Sequence, residues 1–196
     1  MYKILSRDWF VLLATILLMV NCHSDMTLRE QIESMRSSTV CIAPDSMFCL
    51  NGDTTFYTIE KNFLKLVVYV DSSECSSCAI DKLERWNLYM NKYKHVKDLL
   101  FLVILESRKA NLEYVERKVG MTGMHTHVFI DTLSFFRRHN PQIPKDRMFH
   151  TFLLDESDSV VLVGNPMQNN QIDNLLKQIV DAHHEGGKND KSGLVE

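Results

Sequence analysis

Val67-Val68-Tyr69-Val70-Asp71-Ser72-Ser73-Glu74-Cys75-Ser76-Ser77-Cys78 is the stretch on which the reading of this chain turns. Its first four residues close the run Phe63 to Val70 (FLKLVVYV), apolar but for Lys65 and rich in β-branched and aromatic residues. A run of that length and composition predicts a strand buried on both faces. Asp71 to Glu74 is a polar turn. After it, Ala79, Leu83, Trp86, Met90 and Tyr93 stand on one stripe at helical spacing, which predicts a helix over 76–94. Two cysteines three apart therefore sit where a buried strand hands over to a helix. Residues i and i+3 of a first helical turn face the same way, so the two sulfurs can close a small ring. Cys75 falls near the helix cap, where unsatisfied N–H groups and the helix dipole favour negative charge. Cysteine pKa values in such positions drop from about 8.5 to about 3.5–7.5. A thiolate there attacks a disulfide, and Cys78 then displaces the reduced product.

Outward from this junction, strands and helices alternate. Leu99 to Leu105 (LLFLVIL) predicts a second buried strand, and Ala110 to Val119 a helix stopped by Gly120. His127 to Asp131 gives a shorter strand, 132–138 a brief helix or turn, and the loop beyond holds Pro141 and Pro144. Phe149 to Leu154 and Val160 to Val163 read as two strands joined by the polar hairpin Asp155-Glu156-Ser157-Asp158. Ile172, Leu175, Leu176, Ile179 and Val180 mark a last helix, with His183-His184 as positive charge at its end and a frayed polar tail over 183–196. The order β-α-β-α-β-α-β-β-α predicts an α/β fold, a mixed central sheet with helices on both faces. Its domain spans 62–182. Before it, 23–61 reads as an N-terminal extension of strand and turn pieces, opened by the capping box Thr27-Leu28-Arg29-Glu30 and a short helix over 27–36.

The first 22 residues stand apart. Trp9 to Val20 is an apolar run of twelve residues preceded by Lys3 and Arg7, shorter than the about 20 residues that span a bilayer. This is the build of a secretory signal over 1–22. It ends Leu18-Met19-Val20-Asn21-Cys22, which resembles a bacterial lipobox and makes Cys22 a lipidation site, with Asn21 where a small residue is the rule. The alternative is an uncleaved anchor with an incidental cysteine. The composition is globular: 196 residues, 45% hydrophobic, 24% charged, net charge −3. No basic block is present, which argues against nucleic acid as a partner. Export places the remaining cysteines where disulfides persist. Cys41 and Cys49 then read as a structural disulfide closing a short loop, or as two buried thiols.

Strand, turn, C-x-x-C, helix and the Thr151-Phe152-Leu153-Leu154-Asp155 hairpin together resemble the thioredoxin fold over about 62–181. Val160-Val161-Leu162-Val163-Gly164-Asn165-Pro166 adds similarity to exported lipoproteins related to TlpA- and peroxiredoxin-type proteins. The resemblance implies a three-layer thioredoxin-like fold and thiol–disulfide exchange with no dissociable cofactor. Cys75 is then the attacking thiolate and Cys78 the resolving thiol. The implied partners are exported protein thiols or disulfides and a membrane redox protein. The implied location is the bacterial cell envelope, lipid-anchored and facing the periplasm or the cell surface. Three positions depart from the family. Glu74 stands where tryptophan usually precedes the first cysteine, and its carboxylate opposes a thiolate at Cys75. Tyr69 replaces a buried aspartate. Phe149 falls where the family has its cis-proline, so Met148, Phe149 and His150 are expected to line the face opposite the cysteines. Glu74, Ser76, Ser77, Phe149 and His150 are thus the candidate modulating residues.

Competing readings follow from the same residues. A non-catalytic thioredoxin-like module would use Cys75 and Cys78 as a staple. A metal-handling protein would need ligands beyond the pair, and neither a second C-x-x-C nor an H-x₃₋₅-H is present, so no metal site is assigned. His125 and His127 share one side of a strand, read as surface or core. Met121-Thr122-Gly123-Met124 reads as a turn. A peroxiredoxin would have T-x-x-C with proline four residues upstream, where this chain has Ser72 and Val68.

Overall fold

The structure is a computed structural model that describes residues 26–50, 63–74, 76–96, 98–108, 111–124 and 126–191, with the side chains of Ser76 and of 186–191 excepted. Residues 1–22, Cys75 and His125 lie outside the described residues, and with them the signal and lipidation expectations. The chain divides into two units between Gln31 and Ile32. Helix α1, Leu28–Arg36, starts on the expected capping box: the Thr27 amide donates to Glu30 Oε2 at 2.7 Å and the Glu30 amide to Thr27 Oγ1 at 3.3 Å.

The larger unit is built on six strands: β1 (Phe48–Leu50), β2 (Leu64–Val70), β3 (Leu99–Glu106), β4 (His127–Asp131), β5 (Thr151–Leu154) and β6 (Val160–Val163). They lie in the order β1-β4-β3-β2-β5-β6. β2, β3 and β4 are parallel, as right-handed crossovers through helices require. β5 and β6 form the antiparallel hairpin beside β2. β1, from the N-terminal extension, adds an antiparallel edge beside β4. Alternation along β2 explains why both of its faces are apolar but for Lys65. Leu64, Leu66, Val68 and Val70 pack under helices α2 (Ser76–Met90), α3 (Leu112–Met121) and α5 (Asn170–Lys191). Val67 and Tyr69 pack on the other face with Phe136 of helix α4 (Phe135–His139), Met35 and Phe149. Helices on two sides of a mixed sheet are the three layers that the sequence predicts.

Four local expectations are corrected. Gly120 does not stop α3; the helix runs through it to Met121, and Gly123, at φ 63°, takes the left-handed turn that only glycine adopts without strain. Phe149 is not a strand residue, because Arg147–Phe149 form a 3-10 turn capped by Asp146, whose carboxylate accepts from the Met148 amide. The tail does not leave the helix at His183. α5 continues to Lys191, with His183 Nε2 2.7 Å from Glu156 Oε1 and His184 Nδ1 3.4 Å from Asp98 Oδ2. Those two contacts give the polar segment partners that its own composition lacks. Cys41 and Cys49 form no disulfide. The Cys41 amide is held by Asn140 Oδ1 at 2.8 Å, while Cys49 lies on β1 with its Sγ 3.6 Å from the Leu50 carbonyl. Burial pushes the Cys49 thiol above its ordinary pKa.

Candidate functional site

β2 ends at Val70 and α2 begins at Ser76, so Ser76, Ser77 and Cys78 of the C-x-x-C motif open the helix that follows the carboxyl end of a parallel strand inside the sheet. Crevices at that end of an open α/β sheet are where ligands bind. Cys78 is exposed on the first turn of α2 and Ser77 is half-buried. The segment leading into the motif is held from several directions. Asp71 Oδ1 accepts from the Ser73 amide at 3.0 Å and from Ser73 Oγ at 2.6 Å. The Ser73 carbonyl accepts from Arg147 at 3.4 Å, and the Glu74 amide donates to the Asp71 carbonyl at 3.2 Å.

Glu74, expected to oppose a thiolate beside it, is 2.5 Å from Lys82 Nζ, one helical stretch along α2. The ammonium offsets the carboxylate and weakens that opposition. On α3, Lys118 Nζ reaches Asp81 Oδ1 at 2.9 Å. That bond, with a smaller electrostatic contribution from Cys78, raises the Lys118 pKa, which brings a second lysine into the field of the motif.

Beneath the turn lies a buried polar group that the sequence reading did not assemble. Each parallel strand ends on an acidic residue: β2 runs into Asp71, β3 ends at Glu106 and β4 at Asp131, and all three are buried. Asp131 holds the start of α4, accepting from the amides of Leu133, Phe135 and Phe136 at 2.7–3.1 Å. Glu106 accepts from Tyr69 Oη at 2.5 Å and from Ser134 Oγ at 2.5 Å. Ser134 sits at φ 52°, a left-handed conformation that costs a non-glycine residue on the order of 1–3 kcal/mol and persists where the surroundings over-determine it. Burial, reinforced by the Glu106 bond, drives the Tyr69 phenol far above its ordinary pKa, so it stays a donor.

Arg137, on α4, joins this group to the turn. Its Nη1 donates to the Ile143 carbonyl at 2.7 Å, its guanidinium stands 5.5 Å over the Tyr69 ring, and its Nη2 lies 3.7 Å from Asp71 Oδ2. Burial alone would push the Asp71 carboxyl up. The Ser73 bonds and the His150 and Arg137 charges outweigh it and hold that carboxyl below its ordinary pKa.

His150 is 4% exposed, its ring 4.9 Å from that of Tyr69 and its Nε2 3.1 Å from the Pro144 carbonyl. The same Nε2 lies 3.5 Å from Arg137 Nη2. Burial lowers the His150 pKa against the opposing pull of the Pro144 bond and Asp71. Phe149, 1% exposed, is turned into the core cluster of Tyr69 and Phe136. Of the three residues expected to line the face opposite the cysteines, Met148 alone is exposed. No peptide bond among the described residues is cis. His127 is half-buried, its ring stacked on Phe129 at 6.5 Å. Among the described residues no group of three or more His, Cys, Asp or Glu side chains converges as metal ligands do.

No family model and no curated protein matches the chain. Among solved structures it is similar to an uncharacterized thioredoxin-like protein from Porphyromonas gingivalis, at 14% identity over 72% of this chain and 90% of that one, with a TM-score of 0.50. Two further matches are the thioredoxin domain of a thiol-disulfide oxidoreductase from Bacteroides vulgatus and the bacterioferritin comigratory protein of Xanthomonas campestris. The first has 14% identity over 73% of this chain and 98% of that one, with a TM-score of 0.49. The second has 13% identity over 74% of this chain and 99% of that one, also with a TM-score of 0.49. The strand order and the first of these matches define the class: the chain has a thioredoxin-like α/β fold.

Proposed function

We propose that the protein is a thiol–disulfide oxidoreductase in which Cys75 attacks a substrate disulfide and Cys78 resolves the mixed disulfide. The observation that supports this reading is that Cys78 is exposed on the first turn of α2, the helix that follows the carboxyl end of β2 in a thioredoxin-like sheet. The balance is that of exchange. The Cys75 thiolate forms a bond to one substrate sulfur, the other leaves as thiolate, and Cys78 displaces the first while the Cys75–Cys78 disulfide closes. The same steps in reverse oxidise a substrate dithiol. The helix start favours the ionised sulfur, and Lys82 offsets the Glu74 carboxylate beside it. The Chain's apolar leader and Cys22 extend the proposal to an exported, lipid-anchored protein of the bacterial envelope, acting on exported thiols or disulfides and recharged by a membrane redox partner.

Insulin reduction by dithiothreitol, with the wild type against Cys75→Ser, tests the reading. Acceleration by the wild type that is lost in Cys75→Ser is the expected result; equal background rates overturn it. Those equal rates would favour a second reading, a thioredoxin-like binding module with the cysteines as a staple. Its support is Phe149, which fills the position of the family's cis-proline and is packed into the core. Lipid labelling in a bacterial host, abolished by Cys22→Ala, tests the anchor.

A further inference from the structure

We propose that Arg137 is the positioning residue of the redox turn: paired with Asp71, it ties α4 to the segment Asp71–Glu74 and offsets a carboxylate that would otherwise disfavour a thiolate at Cys75. The inference rests on the reading of Cys75 as the attacking sulfur, and it adds to it a residue that is 62 positions away in sequence.

The geometry makes Arg137 a strut. At its base, Asp131 caps the start of α4 and Glu106 holds Ser134 in a left-handed conformation, so the helix that carries Arg137 is fixed to the ends of β3 and β4. At its tip, Arg137 is bonded to the Ile143 carbonyl, laid over Tyr69 and paired with Asp71. Asp71 in turn holds Ser73 twice. An unbroken series of contacts therefore runs from two strand ends through one guanidinium to the residues before the motif. The pair is mostly buried, so its field is screened less than that of a surface pair.

The charges facing the turn from each neighbouring element sharpen the sign. From α2 and the turn itself, Glu74 and Lys82 cancel. From the segment before β5, Arg147 adds positive charge at the Ser73 carbonyl, and His150 Nε2 lies 3.5 Å from Arg137 Nη2. Asp71, already held by Ser73, is the carboxylate that Arg137 helps to compensate. Removing the guanidinium leaves that charge less compensated, four residues in sequence from Cys75, and is expected to raise the thiol pKa. Removing the Asp71 charge does the opposite.

The experiment uses the reduced full-length chain and iodoacetamide, with alkylation of the Cys75 peptide followed by mass spectrometry across pH. Arg137→Met is expected to slow Cys75 alkylation at pH 7 about threefold or more, Arg137→Lys to restore most of the rate, and Asp71→Asn to speed it. The double variant is expected to return toward the wild-type profile. In a glutathione buffer, Arg137→Met shifts the Cys75–Cys78 pair threefold toward disulfide, about 14 mV more reducing.

A purely structural role moves both single variants in the same direction. That outcome overturns the inference, as does an Arg137→Met profile equal to the wild type. If Arg137→Met fails to fold, Asp71→Asn decides alone, because slower or unchanged alkylation there also overturns it. Absence of any reversible glutathione equilibrium in the wild type refutes the oxidoreductase reading instead. The alkylation profiles still report on Arg137 in that case.

Discussion

The two ends of β2 both bury charge, and they do so differently. At its start, Lys65 is 1% exposed, with its Nζ 2.9 Å from Asp158 Oδ1 and 3.3 Å from the Asp155 carbonyl. One cation meets one carboxylate and one backbone acceptor, all supplied by the β5–β6 hairpin. At the other end, three acidic side chains on adjacent strand ends hold the turn after β2 and the start of α4, with one arginine among them. Burial of charge is common to both ends, so burial alone does not mark a functional site. What marks the carboxyl end is that its polar groups are spent on fixing loop geometry around the C-x-x-C turn, including a strained serine. Those at the amino end only close a hairpin.

Four substitutions or conditions test that contrast, from the largest effect to the smallest. Phe149→Ala removes a ring from the core beside Tyr69 and Phe136. It is expected to cost about 3–5 kcal/mol in urea unfolding, as large-to-small core changes do. A cost under about 1 kcal/mol would show that Phe149 is free to serve docking rather than packing.

Asp158→Asn keeps a residue that tolerates the left-handed φ of 60° at that position but leaves Lys65 without a counter-charge. The expected loss is about 2 kcal/mol. That is less than the about 3–5 kcal/mol of breaking a fully buried pair, because Asp158 is 43% exposed. Cys75 alkylation should be unchanged in this variant. A change there would mean that the two ends of β2 are coupled.

His150 predicts a pH dependence confined to the carboxyl end. Its folded pKa lies below the ordinary histidine value of 6.5, so below that pH the unfolded chain binds a proton that the folded chain refuses. Stability therefore falls as pH drops from about 6.5 toward the folded pKa and is recovered above it. Asp71, with its folded pKa lowered from 3.8, adds a further loss only as pH falls below about that value. Urea midpoints between pH 5 and 7.5 should show the first slope, and His150→Gln should flatten it. A wild-type midpoint that stays constant over this range would remove His150 as its source.

Lys82→Ala has the smallest expected effect. Freeing the exposed Glu74–Lys82 pair changes Cys75 ionisation by about 0.2–1 kcal/mol, measured as a slower alkylation that added salt diminishes. Equal slowing at high salt would point to a route other than charge.

Much of the fold was legible because its determinants are local. The runs 64–70, 99–105 and 160–163 carry their strand character in their own residues, and the stripe from Ala79 to Tyr93 carries its helix. Thr27 and Glu30 cap one another within a single turn. The misreadings arose where distant residues decide. Gly120 reads as a stop until Gly123 is seen to take the turn, and the 183–191 segment reads as frayed until Glu156 and Asp98 meet its histidines. The candidate site divides in the same way. Cys75 and Cys78 were visible from spacing. Arg137, Glu106 and Ser134 were not assembled, although an acidic residue closing each of three hydrophobic runs was a signal in plain view.

Periodicity and composition by themselves determined the alternating α/β order, the buried central strand and the position of the cysteine pair at its end. These follow from side chains that act on their own segment. Tertiary structure alone decided which charges share a neighbourhood: Lys82 with Glu74, Asp158 with Lys65, and Arg137 with Asp71. The physical reason is range, since hydrophobic patterning acts over one or two turns of chain. An ion pair or a hydrogen-bonded cap acts over a few ångströms of space between residues whose separation in sequence is arbitrary.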